Sequence, residues 1–156
     1  MNNRLKIGIS QGDINGIGWE VILKIFSDMR LTELFTPVVY GTASAAAFYQ
    51  RVLTDYEPVK FNIVEGASRA QAGRVNLVEC GAKDVRVNVG RPTKEGGMAA
   101  AAALRCAIDD LKSGDIDALV TAPIDKEMIQ GPEFSYTGHT EFLAKELDGT
   151  PLMIMT

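Results

Sequence analysis

Three short stretches of this chain hold side chains able to do chemistry on a small molecule. The first is Tyr136-Thr137-Gly138-His139-Thr140-Glu141, which contains the only histidine among 156 residues. An imidazole titrates near neutrality and can donate one hydrogen bond while accepting another. Thr140 adds a hydroxyl beside it, and Gly138 permits close approach of a ligand. Glu141 is placed either to hold the imidazole or to cap a following helix. A lone histidine is more often a satisfied structural hydrogen-bonder than a functional group, so composition alone favours a structural role.

The second stretch is Gly12-Asp13-Ile14-Asn15-Gly16-Ile17-Gly18, between a strand-like run and a helical one. Glycines here allow a tight turn and let backbone amides approach an anion. The spacing is not that of the dinucleotide fingerprint, and no Gly-Lys-Ser/Thr follows as in a P-loop. Asp13, Gly16 and Gly18 are therefore candidates to line a site, with a purely structural turn as the alternative. The third stretch, Thr121-Ala122-Pro123-Ile124-Asp125-Lys126, ends a strand at the position where open α/β sheets bind ligands. Lys126 can meet an anionic substrate or stand as a solvated cation. No Gly-x-Ser-x-Gly elbow is present, and one histidine rules out a multi-histidine metal site within one copy of this chain. A magnesium site made of carboxylates alone stays open on these grounds.

The positioning elements are legible from periodicity. Leu5–Ser10 alternates and reads as a first strand, followed by a helix with Val21, Ile22, Ile25, Phe26 and Met29 facing a sheet. Pro37–Gly41 reads as a second strand, and Ala43–Leu53 as a helix capped by Thr42 or Ser44. Residues 61–64 and 74–80 read as strands, with a loop over 65–74 between them, and 85–89 as a further strand in an antiparallel excursion. Thr93 caps a helix over 94–113 with Gly97, Ala101, Leu104, Ile108 and Leu111 on one face and Gly114 as its stop. A buried strand over 117–121, a helix over 140–147 and an apolar strand-like run over 151–156 complete the order. Strand, turn and helix in alternation specify an α/β fold.

The totals bound the function classes. A chain of 156 residues fits one domain with a sizeable core. A net charge of −4 without a basic block predicts no nucleic-acid partner. The absence of a membrane-length apolar run or a signal-peptide pattern predicts no membrane partner and a cytoplasmic location. Cys80 and Cys106 lack CxxC spacing and read as reduced, partly buried thiols.

Ile9-Ser10-Gln11-Gly12-Asp13 with Gly16-Ile17-Gly18-x-Glu20, then Thr121-Ala122-Pro123-x-x-Lys126, then Thr137-Gly138-His139-Thr140-Glu141-Phe142 together resemble the 4-hydroxythreonine-4-phosphate dehydrogenase family. Gly90-Arg91-Pro92-Thr93 before an alanine-rich helix fits as well, and the likeness spans the whole chain. Trp19 stands where that family commonly has proline, and Asp125 where some members have histidine.

The resemblance implies a three-layer α/β/α sandwich of the isocitrate and isopropylmalate dehydrogenase type, incomplete here, with residues 1–156 as the N-terminal part of a longer homodimeric enzyme. It implies oxidation of 4-phosphooxy-L-threonine by NAD or NADP, with decarboxylation to 3-amino-2-oxopropyl phosphate in pyridoxal phosphate biosynthesis. It places substrate binding on His139 and Thr140. It implies a divalent metal (Zn, Mg or Co) held by three histidines, all beyond this chain, so the chain alone is expected to be inactive. Two alternatives accompany it. One is a related dehydrogenase of a four-carbon sugar-acid phosphate. The other is a non-catalytic module binding a phosphorylated ligand.

Overall fold

A computed structural model describes residues 4–154. Five strands form one wholly parallel sheet in the order β3-β4-β2-β1-β5. They are β1 (Lys6–Ser10), β2 (Thr36–Gly41), β3 (Phe61–Val64), β4 (Val75–Glu79) and β5 (Ala118–Thr121). The helices are α1 (Gly18–Phe26), the short α2 (Leu31–Leu34), α3 (Ala43–Val52), α4 (Lys94–Ser113) and α5 (His139–Glu146). Parallel strands need long crossovers, and the helices provide them, covering both faces of the sheet.

On one face, α1 and α3 bury Trp19, Ile22, Leu23, Phe26, Ala45 and Tyr49 against Val39, Val75 and Leu77. On the other, α4 buries Ala103 and Ala107 against Val38, Tyr40 and Val78. These are the three layers expected, with β2 buried along its whole length at the centre. The outer side of α4 carries a further cluster, in which Ala101, Leu104 and Ile108 pack against Ile129, Phe134 and Phe142. That cluster seats α5, and with it His139.

Gln11 joins the layers. It is fully buried, and its Nε2 donates to the Ala99 carbonyl at 3.2 Å. Its Oε1 accepts from Trp19 Nε1 at 3.0 Å and from the Thr42 amide at 3.0 Å. A buried amide so fully paired ties β1, α1, the start of α3 and α4 to one point. Trp19 is thus an integral part of the α1 face, and its ring meets Phe61 edge-on at 5.9 Å.

Several expectations are corrected. The 85–89 run is not a strand, because the tertiary structure uses its amides elsewhere: Asn88 donates to the Asn15 side chain at 2.7 Å. The 117–121 strand is not buried. It forms the sheet edge as Ala118–Thr121, and Val120 is 53% exposed. On α1 the buried stripe runs through Trp19, Ile22, Leu23 and Phe26, whereas Val21 and Ile25 are exposed, as is Met29 beyond the end of the helix. The apolar residues outnumber the positions that can face the sheet, so periodicity placed Ile22 and Phe26 correctly and Val21, Ile25 and Met29 wrongly.

Thr42 occupies the N-cap of α3 without capping it through its side chain, and Ser44 donates to the Lys83 carbonyl instead. Residues 67–69 form a 3-10 turn within the expected loop. Residues 151–154 are irregular and exposed rather than a strand, and residues 155–156 of that expectation lie outside the described residues. On α4 the reading holds: the Thr93 hydroxyl accepts from the Gly96 amide at 3.1 Å, and Gly114 closes the helix at φ 78°.

Gly97 on α4 lets the 126–131 segment cross the helix. A Cβ there would lie 2.0 Å from the Met128 carbonyl oxygen, which is backbone and cannot rotate away. Gly97→Ala is expected to destabilise the full-length protein by about 1–3 kcal/mol through overpacking, read as a lower midpoint in urea unfolding.

Candidate functional site

The carboxyl ends of β1 and β5 lie side by side, with Ser10 paired to Thr121. From this point the chain leaves β1 towards β2 on one side, while β5 lies on the other. Such a reversal opens a crevice at the strand ends, where open α/β sheets place ligands. The 12–18 turn and the 122–126 segment emerge there together.

Their backbones are in direct contact. The Asp13 amide donates to the Pro123 carbonyl at 2.9 Å. Gly12 has φ +67°, and a Cβ on it would fall 2.3 Å from the Pro123 oxygen. A Cβ on Gly18 would fall 2.2 Å from the Gln11 carbonyl oxygen. Protein packing therefore requires both glycines as they stand. Gly16 is under no such constraint, and its amide donates to the Asp13 carbonyl at 3.1 Å.

The Asp13 carboxylate accepts from the Asn15 amide at 3.0 Å. Burial pushes its carboxyl above the ordinary range; the Asn15 amide opposes this and the charge of Asp125 adds to it. Asn15 then clamps the 88–93 loop: its Nδ2 donates to the Thr93 hydroxyl at 2.8 Å, and its carbonyl accepts from the Gly90 amide at 2.8 Å. Asp125 accepts from the amides of Glu127 at 3.0 Å and Met128 at 2.9 Å, which sets the turn that carries Lys126.

Lys126 is exposed and reaches over the Gly138 backbone, its Cε 3.7 Å from where a Cβ would sit on that glycine. His139 follows as the first residue of α5. Burial depresses the imidazole pKa, and the positive charge of Lys126 lowers it further. The ring is neutral at pH 7 as a result, with one nitrogen a donor and the other an acceptor. Its Nε2 is buried and has no hydrogen-bond partner among the described residues. Thr140 beside it is exposed.

Glu141 does not hold the imidazole. It accepts from the Thr137 amide at 2.7 Å and the Thr137 hydroxyl at 2.8 Å, fixing the turn into α5. The structure therefore brings Asp13 to the 123–125 segment and Lys126 to Gly138 and His139, linking the three stretches at the strand ends. Sequence reasoning missed the roles of Gln11 and Asn15, since a single buried amide carries no periodic or motif signal.

The far end of α5 is held by charge. Glu146 pairs with Arg105 at 2.8 Å and Lys112 at 2.9 Å, both on α4. Hydrogen bonds from Arg105 and then Lys112 lower its pKa to about 2. A carboxylate with a depressed folded pKa contributes stability that is complete above its unfolded value of 4.5 and is lost as pH falls towards about 2. Glu146→Gln is expected to remove that acid-side loss and to cost only about 1 kcal/mol at pH 7, since solvent screens its partners. Urea titrations of both proteins at pH 7 and pH 3 would read it.

No group of three or more His, Cys, Asp or Glu side chains able to hold a metal ion occurs among the described residues. With one imidazole available, the donor set present does not fit a divalent cation of the expected kind. Gly12 and Gly18 are filled against protein backbone, so the turn provides no pyrophosphate cradle of the dinucleotide type either.

Comparison with known proteins agrees with this architecture. The family model described as pyridoxal phosphate biosynthetic protein PdxA matches residues 33–156. The 4-hydroxythreonine-4-phosphate dehydrogenase of Bacteroides thetaiotaomicron is 47% identical over 145 residues, covering 93% of this chain and 39% of that protein. The Aquifex aeolicus protein of the same name is 36% identical, covering 90% of this chain and 42% of its own length. A crystal structure of a 4-hydroxythreonine-4-phosphate dehydrogenase from Burkholderia phymatum superposes with a TM-score of 0.84 at 29% identity, covering 96% of this chain and 46% of that one. The chain thus spans less than half the length of each of these relatives.

Proposed function

The chain belongs to the family of the pyridoxal phosphate biosynthetic protein PdxA, and we propose that it forms the N-terminal, substrate-binding part of a 4-hydroxythreonine-4-phosphate dehydrogenase. The full-length protein would oxidise 4-phosphooxy-L-threonine with NAD or NADP and release CO₂, giving 3-amino-2-oxopropyl phosphate. The observation that carries this reading is the buried, unpartnered Nε2 of His139 at the strand ends. A buried imidazole nitrogen without a partner is costly unless a ligand completes it.

In this reading the neutral imidazole of His139 exchanges a hydrogen bond with a polar group of the substrate, and the Thr140 hydroxyl supplies a second. Lys126 offers its ammonium to the anionic end of the ligand. The first-turn amides of α5 favour negative charge at the same place. Asp13, Gly16 and Gly18 line the crevice on the other side. Hydride acceptance and stabilisation of the developing alkoxide would be supplied by a nicotinamide cofactor and a divalent metal when bound, neither of them held by the residues described above. The metal's ligands and the rest of the homodimeric active site are assigned to residues outside this chain.

A substrate panel on the full-length protein tests the assignment. NADH or NADPH formation is expected with 4-phosphooxy-L-threonine at a kcat/KM at least about tenfold above that with D-threonate or D-erythronate 4-phosphate. A tenfold ratio is about 1.4 kcal/mol of differential transition-state binding. The reverse ranking would reassign the protein to sugar-acid phosphates. Binding without oxidation of any of the three would leave a ligand-binding module.

A further inference from the structure

β5 forms one edge of the sheet, and no strand pairs with its outer side among the described residues. On the face covered by α4 the strand is packed, with Leu119 against the cluster that holds Ala103 and Ala107. The opposite face of β5 is bare. Val120 stands in register with Ile9 there, and Ala118 with Ile7. α1 runs alongside, with Ile22 and Phe26 turned into the cluster around Val39. Between α1 and β5 lies an open groove of about 270 Å³, whose lining includes Ile7, Ile9, Val21, Ile25, Phe35 and Val120.

The exposure is apolar and contiguous: Val21 is 43%, Ile25 45% and Val120 53% exposed, all along this one groove. Wholly parallel sheets are covered on both faces, and their edges are paired or shielded. An apolar strip at an unpaired edge marks a surface that another piece of protein covers. A small ligand is a poor occupant, because Thr121 is the one polar side chain in the lining and nothing converges to orient a ligand. Length identifies the occupant. The chain spans 39% and 42% of its Bacteroides and Aquifex relatives and 46% of the Burkholderia structure, so more than half of each of those proteins lies outside the matched part.

We propose that the part of the full-length polypeptide beyond residue 156 docks on this surface, adding a strand along the outer edge of β5 and laying the apolar stripe of a helix into the groove between β5 and α1. The inference rests on reading the chain as the N-terminal part of a longer protein. One crossover unit, a strand with its helix, meets both needs at once. The strand pairs the outward amides and carbonyls of β5, and the helix covers Val21, Ile25 and Val120. One end of the groove reaches Gly18 and Pro123. These belong to the two segments joined by the bond from the Asp13 amide to the Pro123 carbonyl. The docked unit therefore supports the 12–18 turn and the 122–126 segment from behind, which couples the remainder of the protein to the candidate site.

Photo-crosslinking and hydrogen exchange on the full-length protein test this. With Ile25→p-benzoylphenylalanine, irradiation is expected to join position 25 to a peptide beyond residue 156 in a species of monomer mass. Val120→p-benzoylphenylalanine should do the same. In the unsubstituted protein, where no variant can misfold, the outward amides of β5 should exchange at least about a hundredfold more slowly than an open edge allows. Links joining two copies, seen at dimer mass, would overturn the proposal in favour of a self-association surface. Fast exchange of those amides with no link from either position would overturn it too, leaving the groove open to solvent. Neither measurement uses turnover. Oxidation of 4-phosphooxy-L-threonine with the groove left open would sink the docking alone, and a filled groove without turnover would sink the assigned reaction alone.

Discussion

The 156-residue chain, assayed alone with 4-phosphooxy-L-threonine, Mg²⁺ or Zn²⁺ and NAD⁺, is expected to form no NADH above background at 340 nm. The chain holds one imidazole, and no cluster of three metal-binding side chains occurs among the described residues. It spans 39% of its Bacteroides thetaiotaomicron relative. A hydride can leave the carbon only if the oxygen on it is stabilised as charge develops, and without an ion or a preorganised donor set that stabilisation is missing. The expected loss is the whole of the catalysed rate. Clear NADH formation by the isolated chain would show that these residues complete a site by themselves, and would sink the assignment of the oxidising groups to the remainder.

The second large effect is expected at His139. In the full-length protein, His139→Ala should lower kcat/KM by about tenfold to a hundredfold, with a raised KM and an unchanged unfolding midpoint. The estimate is the roughly 1.5–3 kcal/mol of a hydrogen bond to a charged partner. Removing the ring leaves no orphan behind in the protein, because Nε2 has no partner among the described residues. A structural histidine would behave in the opposite way, losing stability with kinetics intact. His139→Gln retains an amide donor and acceptor and should recover part of the loss. The sign with pH follows from the depressed imidazole pKa. Protonation on the acid side removes the neutral ring that this reading uses, so the gap between wild-type and His139→Ala should be constant above pH 7 and narrow as pH falls. Unchanged kcat and KM in His139→Ala would return the residue to a structural role.

Much of the fold was legible in advance, and the failures are instructive. The long α4 was readable because its signals are local: the Thr93 cap, the small-residue face and the Gly114 stop all lie within the helix or next to it. The 85–89 run alternates like a strand, yet its fate depends on Asn15, more than 70 positions away, which takes the Asn88 amide. The β5 strand is apolar enough to be central, but it lies at the edge, and nothing in four residues encodes which neighbours a strand will have. On α1 the exposed Val21 and Ile25 stand with Val120 along the same open groove beside β5. Local periodicity reports that a residue is apolar, not which surface covers it.

The histidine stretch shows the same division. Residue types and order alone determined that His139, Thr140 and Lys126 belong to a motif set seen in one family, because those identities are carried by the covalent chain. Periodicity likewise determined that strands and helices alternate. Only the tertiary structure decided the state of the imidazole. Burial and the nearby Lys126 charge lower its pKa, and the packing leaves Nε2 without a partner among the described residues. Only the fold, too, gave Glu141 to Thr137. Burial, charge proximity and hydrogen-bond partnership are properties of space, set by segments distant in sequence, and no single stretch of residues contains them.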